Sequence, residues 1–520
     1  MVAPRRPGAR DPGPSAEIAF DGIARHPRTL GHNRLKPARS GGAAAPAIPP
    51  PASSKRLLPW LVAVAFFMES LDTTILNTAV PVISDALKVA PLSMKSVLAS
   101  YTLSLAVFIP ISGWMADRYG TRRVFASAIG LFSLGSLLCG LSSNIHLLVA
   151  SRVLQGCGGA MMVPVGRLTL VRTFAKSELV AAMSFVAIPG LVGPMLGPIA
   201  GGLIVGYLHW RIIFFVNIPI GLVGLVMVYI HLPDYRRQHP RPLDIVGLIL
   251  FGSGVALLSY VLEIFGEHTL SVAEILGLLA ISLALIGGYG LHATHIRYPL
   301  LQLGLLRIRT FSAAVSGSFF TRLGIGGVPF LLPLLYQIGL GLTPIQSGLL
   351  IMPQALAAMS TKFLMRPLLT RVGYRAVLIS NTLMLGVLLL LFATIGLRTP
   401  VWLIALQAFC YGAFTSLQYT SMNTLVYADI GEEQTSDASS IASTLQQMSI
   451  SFGVAAAGLA TAFFVPDRYR SNPSELIHGI HEAFLVLGLF TVLSTAVFRT
   501  LKSSDGANVS QHKVIAPGPA

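Results

Sequence analysis

Residues 58–82 of the chain read LPWLVAVAFFMESLDTTILNTAVPV, an almost uninterrupted apolar run that is long enough to cross a lipid bilayer as one helix. A membrane-spanning helix needs roughly 20 mostly apolar residues. Further runs of this kind follow at about residues 97–116, 124–142, 146–167, 179–207, 211–231, 244–264, 271–292, 311–337, 344–365, 375–396, 400–427, 437–464 and 480–499. Because the runs are continuous rather than alternating in polarity, they predict helices and not the strands of a β-barrel. The sequence therefore predicts an all-α, polytopic membrane protein with 14 transmembrane helices.

The composition agrees with a membrane protein and excludes a large soluble domain. The chain has 520 residues, of which 53% are apolar and 11% charged, and its mean hydropathy is +0.70. A net charge of +16 could indicate a nucleic-acid partner. Most of the lysines and arginines, however, lie in the two termini and in the loops after even-numbered spans. This is the positive-inside distribution, which predicts that both termini are cytoplasmic and that no nucleic acid is bound.

The ends of the chain are polar. Residues 1–57 are rich in proline, alanine, glycine and arginine, and we expect a disordered, basic cytoplasmic tail. This tail lacks the short apolar core of a secretory signal, and contact with anionic lipid is an alternative role for it. We expect residues 501–520 to form a second, short cytoplasmic tail. The three cysteines lie inside apolar spans without metal or disulfide spacing, so we expect them to be packing residues.

A weak internal repeat suggests how the spans are organised. Residues 118–122 (RYGTR) follow span 2, and residues 371–375 (RVGYR) follow span 10. An offset of eight spans predicts two six-helix halves, residues 58–232 and 299–500, separated by two extra helices within residues 233–298. Parallel six-helix repeats around a central site are typical of secondary transporters. Two chance basic loops remain the alternative explanation.

Two carboxylates in the first span are the strongest chemical signal. Glu69 and Asp72 are three residues apart, so they share one face of the helix. A charge at bilayer depth costs ~3 kcal/mol on insertion scales, and it persists when it is paired, wetted or protonated. Asp72 is the preferred candidate for proton coupling, with Glu69 second. A purely structural ion pair is the alternative.

Other polar residues inside the spans extend this candidate site. Arg152 in span 4 cannot lose its charge, so it needs a partner, and Asp72 or a backbone carbonyl is the candidate. Arg322 in span 9 poses the same question in the second half. The polar residues that we expect to face a central cavity are Asn77, Gln155, Arg322, Gln418, Asn423 and Gln446.

Span 5 carries a stripe of small residues. Gly193, Gly197 and Gly201 are four apart, which permits close contact with another helix along one face. Three prolines in the same span bend the helix and free backbone carbonyls. The simple interpretation is that span 5 is a kinked helix that serves for packing. The more specific one is that its bend controls the side of the membrane to which the cavity opens.

Several of these stretches resemble motifs of one family. Residues 113–123 (GWMADRYGTRR) resemble the loop signature of the major facilitator superfamily, and residues 193–202 (GPMLGPIAGG) resemble its antiporter motif. Residues 71–81 (LDTTILNTAVP) and 210–221 (WRIIFFVNIPIG) are similar to motifs of the fourteen-helix drug:proton antiporters of the EmrB/QacA type. The resemblance covers about residues 58–500.

The resemblance implies a major facilitator fold and a proton-coupled secondary transporter, not an enzyme. Such a protein would export small amphipathic compounds or drugs across the inner membrane by alternating access. A narrow-specificity metabolite exporter or importer on the same fold is the alternative, and a non-transporting receptor is a weaker one. No phosphate-binding loop, cofactor or metal is expected, so protons are the expected energy source. The partners are the substrate, protons and lipid, and an adaptor or outer-membrane channel is left open.

The resemblance also implies roles for particular residues. Proton coupling would involve Asp72, Glu69 and Arg152. A cytoplasmic gate would include Gly113, Asp117, Arg118, Gly120 and Arg122. The antiporter-motif helix would present Gly193, Gly197, Pro198, Gly201 and Gly202. The chain departs from the family pattern at Thr121, where a basic residue is usual, and at Thr370, where the second loop copy lacks the acid.

Overall fold

The computed structural model describes residues 52–174, 176–237, 241–264, 270–431, 434–464 and 473–510, which contain α-helices and no β-strand. The helices are α1 (Ala52–Ala86), α2 (Lys95–Tyr119), α3 (Thr121–Leu141), α4 (Ile145–Thr173), α5 (Lys176–Tyr207), α6 (Ile212–Phe215), α7 (Asn217–His231), α8 (Ile245–Ile264), α9 (Val272–His295), α10 (Arg309–Ile325), α11 (Val328–Leu334), α12 (Pro344–Val372), α13 (Tyr374–Phe392), α14 (Val401–Leu425), α15 (Thr435–Phe464), α16 (Pro473–Phe498) and α17 (Ala507–Ser510).

The predicted all-α membrane fold is confirmed. Within the described ranges, 12 helical segments are long and apolar enough to cross a membrane. Helices α5 and α12 lie where spans 5 and 10 were predicted, and the count of 14 transmembrane helices stays a prediction. Helix α1 begins at Ala52, inside the segment predicted as a tail. The remainder of that tail, residues 1–51, and residues 511–520 lie outside the described residues.

Two predicted spans are interrupted rather than continuous. Span 6 is divided into α6 and α7, and span 9 into α10 and α11, which a π-helical turn follows at Leu335–Gly339. Pro219 lies in the first turn of α7, and Pro329 lies at the start of α11 after two glycines. Since proline has no backbone N–H, it cannot continue the hydrogen-bond ladder of a preceding helix, but it fits a helix start.

The helices pack into two groups joined by an extra pair. In the N-half, which we define as α1–α7, α1 packs against α5 and α4 against α2 and α3. In the C-half, α10–α16, α12 packs against α14 and α13 against α16. Helices α8 and α9 pack on each other, and α8 also contacts α2 and α15. The Asp244 carboxylate fastens this pair, because it accepts hydrogen bonds from Gly247 N, Leu300 N and, on α9, His292 Nε2.

The repeated loop motif marks two turns with the same backbone conformation. Gly120 joins α2 to α3 with φ +96°, and Gly373 joins α12 to α13 with φ +81°. A positive φ of this size favours glycine. The two turns are therefore structurally equivalent, and this supports the prediction of two similar six-helix halves. The boundaries given above for these halves remain predictions.

The two halves meet at one end of the bundle. We call the end where α1 begins and α16 ends the termini end, and the other the far end. Near the far end, Gln337 Nε2 donates to Thr78 O (2.8 Å) and Ser451 Oγ donates to Ala99 O (3.1 Å). Gly348 of α12 lies directly against the Pro198 carbonyl of α5. One apolar core here combines both halves, with α1 residues such as Leu76 and α11 residues such as Leu331.

Towards the termini end, the apolar core is divided. One cluster is built mainly from N-half residues, including Val62, Phe125 and Val165. A second cluster combines C-half residues such as Phe311 and Phe498 with α8 and α9. The bundle is therefore closed at its far end by packing between the halves, while each half keeps its own core at the termini end.

A substitution at Gly348 tests this closed end. We expect Gly348→Leu to push α12 away from α5, because a Cβ there would collide with the Pro198 carbonyl. In a background without native cysteines, the fully buried Ser451, replaced as Ser451→Cys, reports on a different contact between the halves. Its labelling by a polar maleimide should become severalfold faster.

Gly396→Leu is the matched control, since a Cβ at Gly396 would have no atom within 4 Å. Equal labelling of Ser451→Cys in the Gly348→Leu and Gly396→Leu proteins would show that the α5–α12 contact does not hold the far end closed.

Candidate functional site

The N-half contains a buried ion pair between α1 and α4. Arg152 Nη1 lies 2.6 Å from Asp72 Oδ2, and each side chain is 1% exposed. Two opposite charges in contact compensate one another where water is absent, whereas either alone would be strongly destabilising. The structure thus brings together two residues that the sequence singled out separately.

Two amide side chains complete the coordination of Asp72. Gln155 Nε2 and Asn217 Nδ2 both donate to Asp72 Oδ1, each at 2.8 Å. Both also donate to Ser136 Oγ, at 2.7 and 3.2 Å, and Arg152 Nη1 donates to Gln155 Oε1 at 2.7 Å. The resulting network, which we call the Asp72 cluster, connects α1, α3, α4 and α7. Every side chain that faces the carboxylate in these contacts is an N–H donor.

Helix α2 closes the cluster on the side of Arg152. Arg152 Nε donates to Val97 O at 3.4 Å, and its guanidinium lies over the Tyr101 ring, 4.2 Å from the centroid. The sequence offered Asp72 or a backbone carbonyl as the partner of Arg152, and the structure provides both. The arginine is therefore held by an anion, a carbonyl and an aromatic face.

Glu69 lies outside this network, although it is on the same face of α1. Among the described residues, its Oε2 is buried without a hydrogen-bond partner. Its backbone carbonyl accepts a hydrogen bond from Thr73 Oγ1 at 2.8 Å. The two acids of span 1 thus have different surroundings: Asp72 is fully coordinated, and Glu69 keeps a free carboxyl oxygen facing the interior.

Two members of the cluster, Asn217 and Ser136, and the neighbouring Tyr101 were not selected from the sequence. Asn217 is an amide within residues 212–221 (IIFFVNIPIG), which are otherwise apolar, so its position is a signal that the sequence does contain. Tyr101 is completely buried, and Ser136 lies on a small-residue face of α3. Serine is common inside apolar helices, so its presence in span 3 carried no information about a site.

The glycine stripe of α5 packs directly on α1. A Cβ added to Gly193 would collide with Ser70, one on Gly197 with Thr74, and one on Gly201 with Thr78. The predicted close contact is thus present, and its partner is the helix that carries Asp72. The opposite side of α5 faces the C-half, because a Cβ on Gly202 would lie 2.7 Å from Pro344 O and because Pro198 contacts α12.

The loop expected to form a gate is bound to the segment after α7. Asp117 forms ion pairs with Arg172 at the end of α4 and with Arg237, the latter at 3.2 Å. Arg122 donates through its backbone N to Asp234 Oδ1 at 3.1 Å and through Nε to Leu232 O.

The other gate residues make fewer contacts. Arg118 and Gly113 are exposed. Gly120 supplies the turn, where a Cβ would collide with Asp234, and Thr121, the departure from the family pattern, donates to Pro233 O at 3.0 Å. The predicted gate residues are therefore close together, but their ionic contacts lie within α2, α4 and the segment after α7.

The remaining predicted cavity residues are distributed over both halves. Gln418 is buried in the C-half, where it donates to Thr382 Oγ1 (2.7 Å) and accepts from Asn381 Nδ2 (2.8 Å). Arg322 is also buried there. Asn77 and Gln446 are half-buried, and Asn423 is exposed. In the described part of the chain, no group of histidine, cysteine or acidic residues is arranged to hold a metal.

A helical membrane bundle with a buried charge cluster is consistent with a secondary transporter. The family model of the Major Facilitator Superfamily matches residues 62–454 and 314–516, and the chain belongs to this superfamily. It is thus a multi-pass membrane transporter of small molecules, not an enzyme.

Particular relatives and structures refine the comparison. The chain is 40% identical to the "Putative multidrug resistance protein MdtD" of Escherichia fergusonii over 451 residues, covering 87% of this chain and 96% of the relative. It is 41% identical to the protein of that name from Serratia proteamaculans, covering 86% and 94%. The fold is similar to a bacterial homologue of the lysosomal transporter Spinster in an inward-facing, unoccupied conformation, with TM-score 0.60, 14% identity and coverage of 86% and 98%.

The α1–α5 contact generates a test. We expect Gly197→Leu to insert normally, because the change is apolar, but to separate α5 from Thr74 of α1. Overpacking of this kind costs about 1–3 kcal/mol. The protein should therefore melt at a lower temperature in detergent, and flux in proteoliposomes should be largely lost.

Gly190→Leu is the matched control in the same helix, since a Cβ at Gly190 would have no atom within 4 Å. If Gly197→Leu retained the melting temperature and flux of Gly190→Leu, the glycine stripe would have no part in joining α5 to α1.

Proposed function

We propose that the protein is a proton-coupled exporter of small amphipathic compounds or drugs, acting by alternating access in the inner membrane. The observation that carries this proposal is the Asp72 cluster, in which a membrane-embedded acid on α1 is bonded to α4 and α7 and, through them, to Ser136 of α3. The relatives named as multidrug resistance proteins support two parts of this proposal, that transport is outward and that the substrates are drugs.

Orientation follows from the distribution of basic residues. The positive-inside pattern favours cytoplasmic termini. With that orientation the termini end is cytoplasmic, and the closed far end faces the outside. The described conformation would then be inward-facing. We expect the substrate cavity to lie between the halves and to open to the cytoplasm, where an exporter takes up its substrate.

Proton coupling would act through the hydrogen-bond pattern around Asp72. The groups that contact its carboxylate, from Arg152, Gln155 and Asn217, are all donors. A protonated Asp72 would lose its charge and would present an O–H to these donors, so Arg152 would lack a counter-ion and the cluster would have to rearrange. Binding and release of one proton would therefore favour different arrangements of α1, α4 and α7.

The packing of α5 on α1 would transmit that rearrangement to the C-half. Thr74, which contacts Gly197, lies two residues from Asp72, and Thr74 Oγ1 also lies 3.4 Å from Gly193 O. On its other side α5 contacts α12. A shift of α1 would thus displace the helix that helps to close the far end. Glu69, with its unpaired oxygen, would be a second site for a proton on the same face.

Asp72→Asn tests the coupling. The amide keeps the size of the side chain but cannot titrate, and it leaves the buried Arg152 without an anion. We expect the variant to insert with a lowered melting temperature and still to exchange substrate downhill, while export driven by an imposed pH gradient in proteoliposomes falls at least tenfold. Asp72→Glu should keep part of this export.

Asp85→Asn is the control, because it removes the same charge from an exposed position near the end of α1. Gradient-driven export by Asp72→Asn at the level of Asp85→Asn would assign Asp72 a structural role and would move the coupling role to Glu69.

A further inference from the structure

The C-half has an unusual distribution of charge. The sequence contains no aspartate or glutamate between Glu274 and Asp429, so helices α10–α14 carry no carboxylate. Two of the cations in these helices are Arg322, in the last turn of α10, and Lys362, inside α12. With a rise of 1.5 Å per residue, Arg322 lies ~20 Å along α10 from Arg309, and Lys362 lies ~15 Å from the end of α12 at Val372.

Arg322 is buried among neutral groups. The residue is only 2% exposed. Arg322 Nε donates to Ser318 Oγ at 2.9 Å, and its guanidinium lies over the Tyr419 ring, 3.5 Å from the centroid. An aromatic face and a hydroxyl stabilise a guanidinium in part, but they do not neutralise it.

Lys362 reaches the same part of α14. It is half-buried, and Lys362 Nζ donates to Thr420 Oγ1 at 2.5 Å. Since Tyr419 and Thr420 are consecutive, both cations contact one turn of α14. Within the part of the chain that the structure describes, no carboxylate lies within ion-pair distance of either cation.

The N-half contains a buried arginine whose charge is neutralised by a carboxylate. Arg152 there has Asp72 at 2.6 Å, whereas Arg322 and Lys362 have only neutral contacts. Uncompensated cations at bilayer depth are costly and usually face a water-filled path or a ligand. Lys362 is only half-buried, and Asn423, one turn further along α14 than Thr420, is exposed, so this part of α14 is not sealed by packing.

We propose that Arg322 and Lys362 form a subsite for an acidic group of the transported compound, a carboxylate, sulfonate or phosphate. This inference rests on the proposed function, because it assigns the substrate class of the same cavity. The acidic group supplies the counter-charge that α10–α14 lack, and the apolar remainder of the compound packs against the walls of the cavity. The protein thus favours acidic amphipathic compounds over basic ones of the same size.

Two dyes that share one fluorophore test this preference. Dansylglycine carries a carboxylate and dansylcadaverine an ammonium group. The full-length protein in nanodiscs of phosphatidylcholine, without any gradient, should bind dansylglycine more tightly, as measured by fluorescence titration. Lys362→Gln should weaken dansylglycine binding about tenfold, since a charge-assisted hydrogen bond is lost. Lys362→Arg should retain the preference, and Lys362→Glu should reverse it.

Arg371→Gln is the matched control, because it removes one positive charge from the exposed end of the same helix. The proposal is overturned if the parent does not prefer dansylglycine, or if Lys362→Gln and Arg371→Gln bind it equally well. Melting temperatures of all variants exclude a loss of folding as the cause.

The result is separable from the proton-coupling test, because dye binding is measured without a gradient and without Asp72 substitutions. Loss of the dansylglycine preference with intact gradient-driven export contradicts only the acidic subsite. The converse result, an intact preference with Asp72→Asn exporting as well as Asp85→Asn, contradicts only the coupling role of Asp72.

Discussion

The ion pair between Asp72 and Arg152 is the constraint on which the N-half depends. An unpaired charge inside a bilayer is costly, so the 2.6 Å contact between these side chains holds α1 and α4 together. Gln155 and Asn217 occupy the other carboxyl oxygen and add α7 to the pair, while Ser136 adds α3. The polar interior thus specifies how four otherwise apolar helices are arranged.

Helix α5 connects that interior to the opposite half. Its glycines let it approach α1 at Ser70, Thr74 and Thr78, so one stretch of α1 carries the acids on one face and the small-residue contact on another. Across the bundle, α5 meets α12 near Gly348. A single helix, α5, therefore lies between the helix that carries Asp72 and the contact that joins the two halves.

The sequence predicted the helices well, because bilayer thickness imposes a length that can be counted. It missed the breaks in spans 6 and 9, where Pro219 and Pro329 lie in the first turns of new helices inside apolar runs that look continuous. Charged residues are rare inside the predicted spans, and this was enough to select Asp72 and Arg152. Which residue Arg152 pairs with could be determined only from the structure. Ser136 and Tyr101 could not be selected, because neither residue type is rare in an apolar helix. The proton-coupling, gating and antiport roles remain predictions from the family motifs.

The position of α8 has a consequence for access from the lipid. The described halves meet along two lateral seams, one between α2 and α15 and one between α5 and α12. Helix α8 lies over the first, with Gly252 against Val107 of α2 and with the Glu263 carbonyl accepting from Lys95 Nζ at 2.7 Å. A hydrophobic compound dissolved in the surrounding leaflet thus meets a covered seam on one side of the molecule. Among the described helices, neither α8 nor α9 covers the seam between α5 and α12 in the same way, so the two flanks of the bundle present different surfaces to lipid.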